Sequence, residues 1–311
     1  MATVYIVKHN GCQLANQLLH YAAIYAYALE RGYRCYNPAF EAKYAALFPR
    51  LARSPLSPAG GEAAAWPGML RGPLARRAIT AAMRAASDLG LFGTTIRARQ
   101  RDPQMDLPPT AAAASGSSFT EPKSQRIYFN GWNFRNPAGL AEHRAAIIEA
   151  FAPREPERSR VEAFARSLPK DRPVIGVHVR HRDYRTFLDG RWFLSIERFR
   201  TEMAGLRQAL GGPEPLFVIF SDEPRTAEEF AGFDCRISEA TALEDLYRMA
   251  HCDLIVGPPS TFSTWAAVYG GTCAWHLERT EGDGFDWFQQ GHPTVITRDA
   301  AVAHIRARRG G

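Results

Sequence analysis

The sequence of 311 residues has few cysteines, and they are not spaced as a zinc motif or a disulfide framework. There are five, an odd number, and no two form a Cys-x-x-Cys pair: Cys12, Cys35, Cys235, Cys252 and Cys273. We therefore expect buried free thiols. The metalloprotease motif HExxH and the phosphate-loop motif GxxxxGK[ST] are also absent, so nothing in the sequence favours either of those classes.

Long apolar runs and a targeting leader are lacking as well. No stretch of about 18 apolar residues occurs. The first residues, MATVYIVKH, have the pattern of a strand and not that of a basic leader with a cleavage site. With 46% hydrophobic and 23% charged residues, the composition is typical of a folded soluble protein. We expect a cytoplasmic location.

Positive charge is concentrated in one segment. The formal net charge is +6, and between positions 71 and 101 a single acid, Asp88, stands against seven arginines. These are Arg71, Arg76, Arg77, Arg84, Arg97, Arg99 and Arg101. No nucleic-acid motif accompanies them, so we expect no nucleic-acid partner. Two interpretations stay open: a solvated helix, or peripheral contact with the inner face of an anionic membrane through the apolar residues interleaved with the arginines.

Strand and helix patterns divide the chain into two α/β lobes. A strand at 4–8, a glycine-containing loop and a helix ending at Glu30 are the typical opening of a nucleotide-binding fold. We assign residues 1–165 to an N-terminal lobe, in which proline- and glycine-rich text at about 54–124 predicts an irregular basic insertion. From residue 171 strands and helices alternate regularly, so 171–311 is predicted to be a Rossmann-like lobe around a parallel sheet.

Ligands of such sheets bind at the carboxyl ends of the strands, where two charged segments fall. HVRHRDY, residues 178–184, leaves a strand with Arg180, whose planar guanidinium matches phosphate oxygens. The alternative is that Arg180 only pairs with Asp183 in the loop. FSDE, residues 220–223, offers carboxylates for a ribose hydroxyl or a base edge, although a solvated helix N-cap explains them as well.

Hydroxyls and amides supply two further candidate segments. VGPPSTFSTWAAVYGG, residues 256–271, opens a helix with hydroxyls at Ser260–Ser263, which suits a diphosphate, while a simple N-cap is the alternative. In HNGCQLANQ, residues 9–17, Gly11 allows a ligand to approach the backbone. Asn16 and Gln17 add amide groups there, and helix capping is the alternative for Asn16. No DxD motif is present, so arginine and helix ends must neutralise the phosphates, and we expect neither a metal nor another cofactor.

Together, GCQLANQ, HVRHRDY, FSDE and STFSTW resemble the ordered motifs of the GDP-fucose-dependent fucosyltransferases, most closely the bacterial α-1,2-fucosyltransferases. Order and rough spacing agree over most of the chain apart from the segment 54–123. The resemblance implies the GT-B fold, with two Rossmann-like lobes, the donor in the cleft between them and bound mostly by the C-terminal lobe, and the acceptor on the N-terminal lobe. It also implies metal-independent, inverting transfer of fucose to a hydroxyl of an oligosaccharide or lipid-linked glycan.

Carried over residue by residue, the resemblance makes Arg180 the ligand of the β-phosphate. An acceptor hydroxyl also has to lose its proton, and Asp183 is the first candidate for the general base, ahead of His9 and His181. The donor-binding set that the resemblance implies is Gly11, Asn16, His178, Arg180, Arg182, Ser221, Asp222, Glu223, Ser260, Thr261, Phe262 and Ser263. Asp222 and Glu223 would lie near the nucleoside.

The sequence departs from the family pattern at three positions. The second arginine is His181, the next small residue is Arg182, and the second glycine of the N-terminal loop is Ala15. Alternatives to the α-1,2-fucosyltransferase are therefore a transferase that uses another nucleotide sugar and a non-catalytic nucleotide-binding module of the same fold.

Overall fold

The computed structural model describes residues 2–8, 13–53, 72–98, 105–107, 119–277, 293–295 and 297–310. The chain divides into two compact units, Met1–Arg154 and Glu155–Gly311. This division precedes the boundary at 165–171 that the sequence suggested. The helix Glu157–Ser167 belongs to the second unit, because its Phe164 joins a core cluster there and its Arg160 pairs with Glu244.

A four-stranded parallel sheet forms the centre of the first unit. The strands of this unit are β1 (Thr3–Lys8), β2 (Arg34–Tyr36), β3 (Thr94–Ala98), β4 (Met105–Asp106), β5 (Arg126–Gly131) and β6 (Phe134–Arg135). The helices are α1 (Leu14–Glu30), α2 (Pro38–Tyr44), α3 (Pro49–Arg53), α4 (Pro73–Asp88), α5 (Pro137–Glu142) and α6 (Arg144–Ala150). The sheet order is β2-β1-β5-β3, and β4 pairs with β6 separately.

The predicted strand, loop and helix at the start of the chain are confirmed at β1 and α1. The helix is apolar around most of its circumference, and nearly all of its residues from Ala15 to Ala28 are buried. Gly32 ends it with a φ of +60°, a left-handed conformation that costs glycine little. The amide of Gly32 then bonds the Leu29 carbonyl and that of Tyr33 the Ala28 carbonyl, which satisfies two terminal carbonyls.

The expectation of an irregular insertion at about 54–124 is wrong for residues 73–98. An alanine-rich segment with proline at its first position forms α4, as its helix propensity favours. The β-branched segment that follows forms β3, which pairs in register with β5 from Thr94 and Ile127 to Ala98 and Gly131. Residues 54–71, 99–104 and 108–118 lie outside the described part of the chain.

The second unit contains a doubly wound parallel sheet, as the alternating pattern predicted. Its strands are β7 (Val174–Val179), β8 (Leu216–Ser221), β9 (Cys235–Ile237), β10 (Leu254–Gly257), β11 (Ala274–His276) and β12 (Thr294–Val295). Its helices are α7 (Glu157–Ser167), α8 (Ile196–Leu210), α9 (Ala242–Arg248), α10 (Thr261–Gly270) and α11 (Arg298–Arg309). The order β12-β11-β10-β7-β8-β9 is the Rossmann order.

Both faces of this sheet are covered, which explains why β7 is an uninterrupted buried strand. Ile175, Val177 and Val179 pack into a core cluster that includes residues of α8 and α11. On the other face, Val174 packs into a second cluster with residues of α7 and α10. The carboxyl end of β7 is therefore fixed from both sides. Within the described residues, no helix is both long enough and apolar enough to cross a membrane.

Candidate functional site

Arg180 and Ser260 meet where the strand order of the second sheet reverses. The chain winds from β7 to β8 and β9 on one side and from β10 to β11 and β12 on the other, so β7 and β10 form the switch point at which such sheets bind ligands. Arg180 directly follows β7 and Ser260 precedes α10. The Arg180 Nη1 donates to the Ser260 Oγ over 3.1 Å.

Ser260 is also the N-cap of α10. Its hydroxyl oxygen accepts a hydrogen bond from the Phe262 amide over 3.2 Å. The capping interpretation of this serine is thus correct, but the same oxygen also holds the arginine. Arg180 is in this way connected through one hydroxyl to the first turn of α10, whose amides carry the positive end of the helix dipole.

The guanidinium of Arg180 is held in a fixed orientation. Its Nε and Nη2 donate to the two carboxylate oxygens of Asp183 over 3.1 and 2.7 Å. Its Cζ lies 4.5 Å from the ring centre of Tyr184, and the Tyr184 hydroxyl donates to the Pro259 carbonyl over 2.6 Å. Burial alone lowers the pKa of Arg180, but the bond to Asp183 raises it, and the balance lies above the ordinary value.

This arrangement leaves part of the guanidinium available to a ligand. An arginine has five N–H donors. Within the described part of the chain, Arg180 uses three of them, on Asp183 and Ser260, and its side chain is 18% exposed. Two N–H groups therefore remain for an anion, and they carry charge-assisted hydrogen bonds to phosphate well.

Asp183, the first candidate for the general base, is positioned for another task. Both of its oxygens accept from Arg180. These bonds hold the pKa of Asp183 below its ordinary value, so the carboxylate has little tendency to take up a proton. The geometry favours a positioning role, in which Asp183 orients Arg180.

His178 is a buried residue of β7 with a neutral imidazole. Its ring stacks on Phe262 with the ring centres 5.4 Å apart. Burial, reinforced by the charge of Arg180, lowers the pKa of His178 to about 3. Its Nδ1 is buried and has no hydrogen-bond partner among the described residues. Gly257 makes this packing possible, because a side chain there would place its Cβ 2.6 Å from the His178 carbonyl oxygen.

The hydroxyls at the start of α10 do not all face one place. Ser263 is buried, and its Oγ donates to the Ser260 carbonyl over 3.0 Å, so its contact with a donor stays a prediction. The ring of Phe262 stacks on that of His178. Thr261, at the first helical position, is half-buried and remains on the exposed side.

The carboxylates of FSDE face the loop after β7 and not an open pocket. Asp222 accepts from the backbone amides of His181 and Arg182 over 2.9 and 3.3 Å, and it is not a helix N-cap. Asp222 thus fixes the turn that carries Arg180. The Ser221 hydroxyl accepts from the Glu223 amide over 3.2 Å.

An arginine outside the predicted set, Arg225, whose side chain is 9% exposed, organises the neighbouring polar cluster. Its guanidinium donates to Ser221, Glu223 and Glu229, and to the His181 Nδ1 over 2.8 Å. The only signal in the sequence is its position, two residues after FSDE and four before Glu229.

Two partners hold His181 in this cluster. Because its Nδ1 accepts from Arg225, the proton is on Nε2, which donates to the Leu194 carbonyl over 2.7 Å. Glu223 pairs with Arg225 and with Arg185, and the bond from Arg185 lowers the pKa of Glu223 to about 2. Both side chains therefore stabilise the loop.

The remaining predicted residues are less informative. Arg182 is exposed, and no hydrogen bond or ion pair engages its side chain within the described residues. Asn16 is half-buried in the first turn of α1, and the N-cap position of this helix is Gln13, whose side chain makes no capping hydrogen bond. Gly11 and His9 lie outside the described residues. In the described ranges no three metal-ligating side chains come together, and metal independence stays a prediction.

Comparisons with known proteins support the fold. No protein-family model matches the sequence, and no curated protein matches it either. Fucosyltransferase NodZ from Bradyrhizobium is structurally similar, with a TM-score of 0.51 and 16% identity over 85% of this chain and 92% of that one. A mutant of Arabidopsis thaliana FUT1 in complex with GDP has a TM-score of 0.50 and 13% identity over 90% of this chain and 71% of its own.

At this level of identity the similarity establishes the fold. The chain has the two-lobed α/β fold of the GT-B glycosyltransferases, with a Rossmann-like sheet in its second unit. The predicted fold class is confirmed.

Proposed function

We propose that the protein is an inverting glycosyltransferase that moves fucose from GDP-fucose to a hydroxyl group of a glycan acceptor. The observation that carries the proposal is the oriented guanidinium of Arg180 beside the amino end of α10, at the switch point of the second sheet. The fold shared with a fucosyltransferase and with a protein in complex with GDP supports it, as do the four ordered segments of the sequence.

In the proposed reaction the acceptor hydroxyl forms a bond to C1 of fucose while the bond from C1 to the β-phosphate oxygen breaks. The configuration at C1 inverts, the hydroxyl proton leaves, and GDP departs with additional negative charge. The two free N–H groups of Arg180 and the first amides of α10 stabilise that charge without a metal ion. Loss of one such preorganised donor costs about 10² to 10³ in rate.

Arg180 needs its supports for this role. The two bonds to Asp183 fix the plane of the guanidinium, and the bond to Ser260 fixes the edge that carries Nη1. The guanidinium therefore does not have to reorganise as charge develops on the departing GDP. Because Asp183 stays ionised and paired, we propose that it positions Arg180 and that the acceptor proton passes to another group.

The proposal extends to the linkage and the acceptor. The resemblance to bacterial α-1,2-fucosyltransferases favours an α-1,2 bond to galactose in an oligosaccharide or lipid-linked glycan, made in the cytoplasm during synthesis of a surface polysaccharide. Metal independence follows from the same electrostatics, since arginine and helix dipole take the place of a cation.

The direct test is incubation of the protein with GDP-fucose and galactose-terminated acceptors in the presence of a chelator, with release of GDP and the linkage of the product measured. We expect GDP release that Arg180→Ala reduces by about 10² to 10³. Release of nucleotide from another sugar nucleotide alone would assign a different donor. GDP binding that Arg180→Ala abolishes, without transfer to any acceptor, would identify a non-catalytic binding module.

A further inference from the structure

A groove between α2 and α4 of the first unit is lined by three basic side chains and by small, mostly apolar residues. Its volume is about 360 Å³, which is within the usual size of ligand pockets. The lining residues are Ala39, Ala42, Lys43, Arg77, Thr80, Ala81 and Arg84. Positions 77, 80, 81 and 84 share one face of α4, as helical spacing dictates, and 39, 42 and 43 share one face of α2.

The three cations of this groove have no counter-charge within the described residues. No acid is among the lining side chains, and neither Lys43, Arg77 nor Arg84 takes part in an ion pair there. Asp88, the only acid between positions 71 and 101, accepts a hydrogen bond from Asn130 over 3.1 Å. The groove therefore keeps three uncompensated charges.

Other arginines of the same basic segment are used internally. Arg76 is buried and bonds the carbonyl of Glu41 over 3.2 Å. Arg97 bonds the Ser87 carbonyl over 2.9 Å. Arg71, Arg99 and Arg101 lie outside the described residues. In the described part of the segment, the two arginines that have no ion pair, Arg77 and Arg84, are exposed and both line the groove.

The groove reaches the ligand-binding edge of the first sheet. The Nε of Arg84 donates to the carbonyl of Val7, next to the last residue of β1, over 2.8 Å. In parallel sheets covered by helices, ligands bind at the carboxyl ends of the strands, and Val7 lies at that end of β1. One donor of Arg84 is anchored on the backbone, which leaves its terminal N–H groups for the groove.

We propose that this groove binds an anionic group, a carboxylate or a phosphate, of the acceptor glycan. The chemistry is that of guanidinium and ammonium donors converging on oxygen anions. The assignment to an acceptor rests on the proposed glycosyl transfer, whereas the binding of the anion does not. An acidic sugar and a phosphate-linked lipid carry the same chemistry, and the test separates them.

The experiment compares three galactose-terminated disaccharide probes on the full-length protein: a neutral one, one with a glucuronic acid residue and one with a phosphate ester. Dissociation constants are measured by calorimetry without GDP-fucose, and acceptor KM values by GDP release. We expect at least one anionic probe to bind about tenfold or more tightly than the neutral probe, or about 1.4 kcal/mol per factor of ten. The preference should weaken at high salt.

The variants are Arg77→Gln and the double substitution Lys43→Gln with Arg77→Gln. Each lost charge should raise the dissociation constant of the anionic probe, in the double variant to near that of the neutral probe, and leave that of the neutral probe unchanged. Arg166→Gln on α7 removes one charge from a side chain that is 72% exposed, and this matched control should change neither constant. Arg84→Lys, which keeps the charge, should retain most of the preference.

Each outcome decides the proposal. Equal binding of all three probes to the unsubstituted protein, or a preference that the double variant retains, would overturn it. Loss of sedimentation with phosphatidylglycerol vesicles in the double variant, without any preference among the soluble probes, would also overturn it and assign the groove to a membrane surface. Preference for the anionic probe without release of GDP would preserve the groove and refute the proposed transfer.

Discussion

Arg180 and Ser260 lie 80 positions apart in the sequence, and their side chains are joined by a 3.1 Å hydrogen bond. The bond connects the end of β7 to the beginning of α10 across the reversal of the sheet. It brings a fixed cation and a helix dipole to one place, which is the arrangement that a diphosphate requires.

Ser260→Ala should therefore reduce activity as well as stability. The variant loses the cap of α10 and the anchor of Arg180, and we expect a stability loss of about 1 kcal/mol with a fall in kcat of about tenfold. The matched control is Thr297→Ala, which removes only the N-cap of α11. Urea unfolding should show similar losses for both variants, and kinetics should show a fall for Ser260→Ala alone. Equal kcat values would refute the anchoring role.

The roles considered for Asp183 are separated by a pH profile. In Asp183→Asn the side chain keeps its size, but the charge that orients Arg180 is lost. We expect kcat to fall by about 10¹ to 10², less than for Arg180→Ala, with the acidic limb of the kcat profile unchanged. A base would behave differently, since its removal would abolish that limb.

A double variant tests the same relation. Because Asp183 acts through Arg180, the losses of Asp183→Asn and Arg180→Ala should not add in the combined variant. Additive losses would show that the two side chains act independently.

His178 should make the folded protein sensitive to acid. The unfolded chain has the ordinary imidazole pKa of 6.5, whereas burial and Arg180 lower the pKa of His178 in the folded state to about 3. Between these values the unfolded state binds more protons, so stability falls as the pH is lowered, by at most about 1.4 kcal/mol per pH unit.

His178→Gln removes this titration, and it should lose less stability than the unsubstituted protein between pH 7 and pH 5. Urea unfolding at several pH values measures the two slopes. Parallel slopes would contradict the buried, neutral state of the imidazole.

The sequence alone predicted that the candidate residues lie at strand ends, but not the partners of each side chain. HVRHRDY, FSDE and STFSTW follow apolar strands or open a helix, and the carboxyl ends of parallel strands must share one edge. Asp222 could contact either a nucleotide or the backbone amides of the loop after β7, and the outcome depends on how β7 and β8 lie side by side. No repeating pattern in the sequence encodes that geometry. Arg225 was missed for the same reason.

In the first unit the prediction that failed concerned secondary structure and not side-chain contacts. Proline and glycine punctuation around 54–124 suggested irregular structure, yet α4 and β3 lie inside that segment. Tertiary pairing with β5 decides the state of a strand as short as β3, and local composition does not reveal that pairing.

His181 stands where the motif that HVRHRDY resembles has its second arginine. The imidazole is buried, and it accepts from the Arg225 Nη2 over 2.8 Å. A second guanidinium at this position would face Arg225, and the nearest carboxylate, that of Glu223 at 3.7 Å from the His181 Nδ1, is already paired with Arg185 and Arg225. His181→Arg, which introduces the arginine of the motif that this segment resembles, should therefore destabilise the protein by about 3 kcal/mol, the cost of an unpaired buried charge.

Removal of the opposing charge should reverse the effect. In the His181→Arg background, Arg225→Gln leaves Glu223 and Glu229 to accept from the new arginine, and we expect stability to recover by about half or more. Arg225→Gln by itself should destabilise, because it leaves Glu229 without its partner. Urea unfolding of the four proteins measures the coupling. A stable His181→Arg variant would show that this position tolerates arginine and that the contact with Arg225 does not require a histidine here.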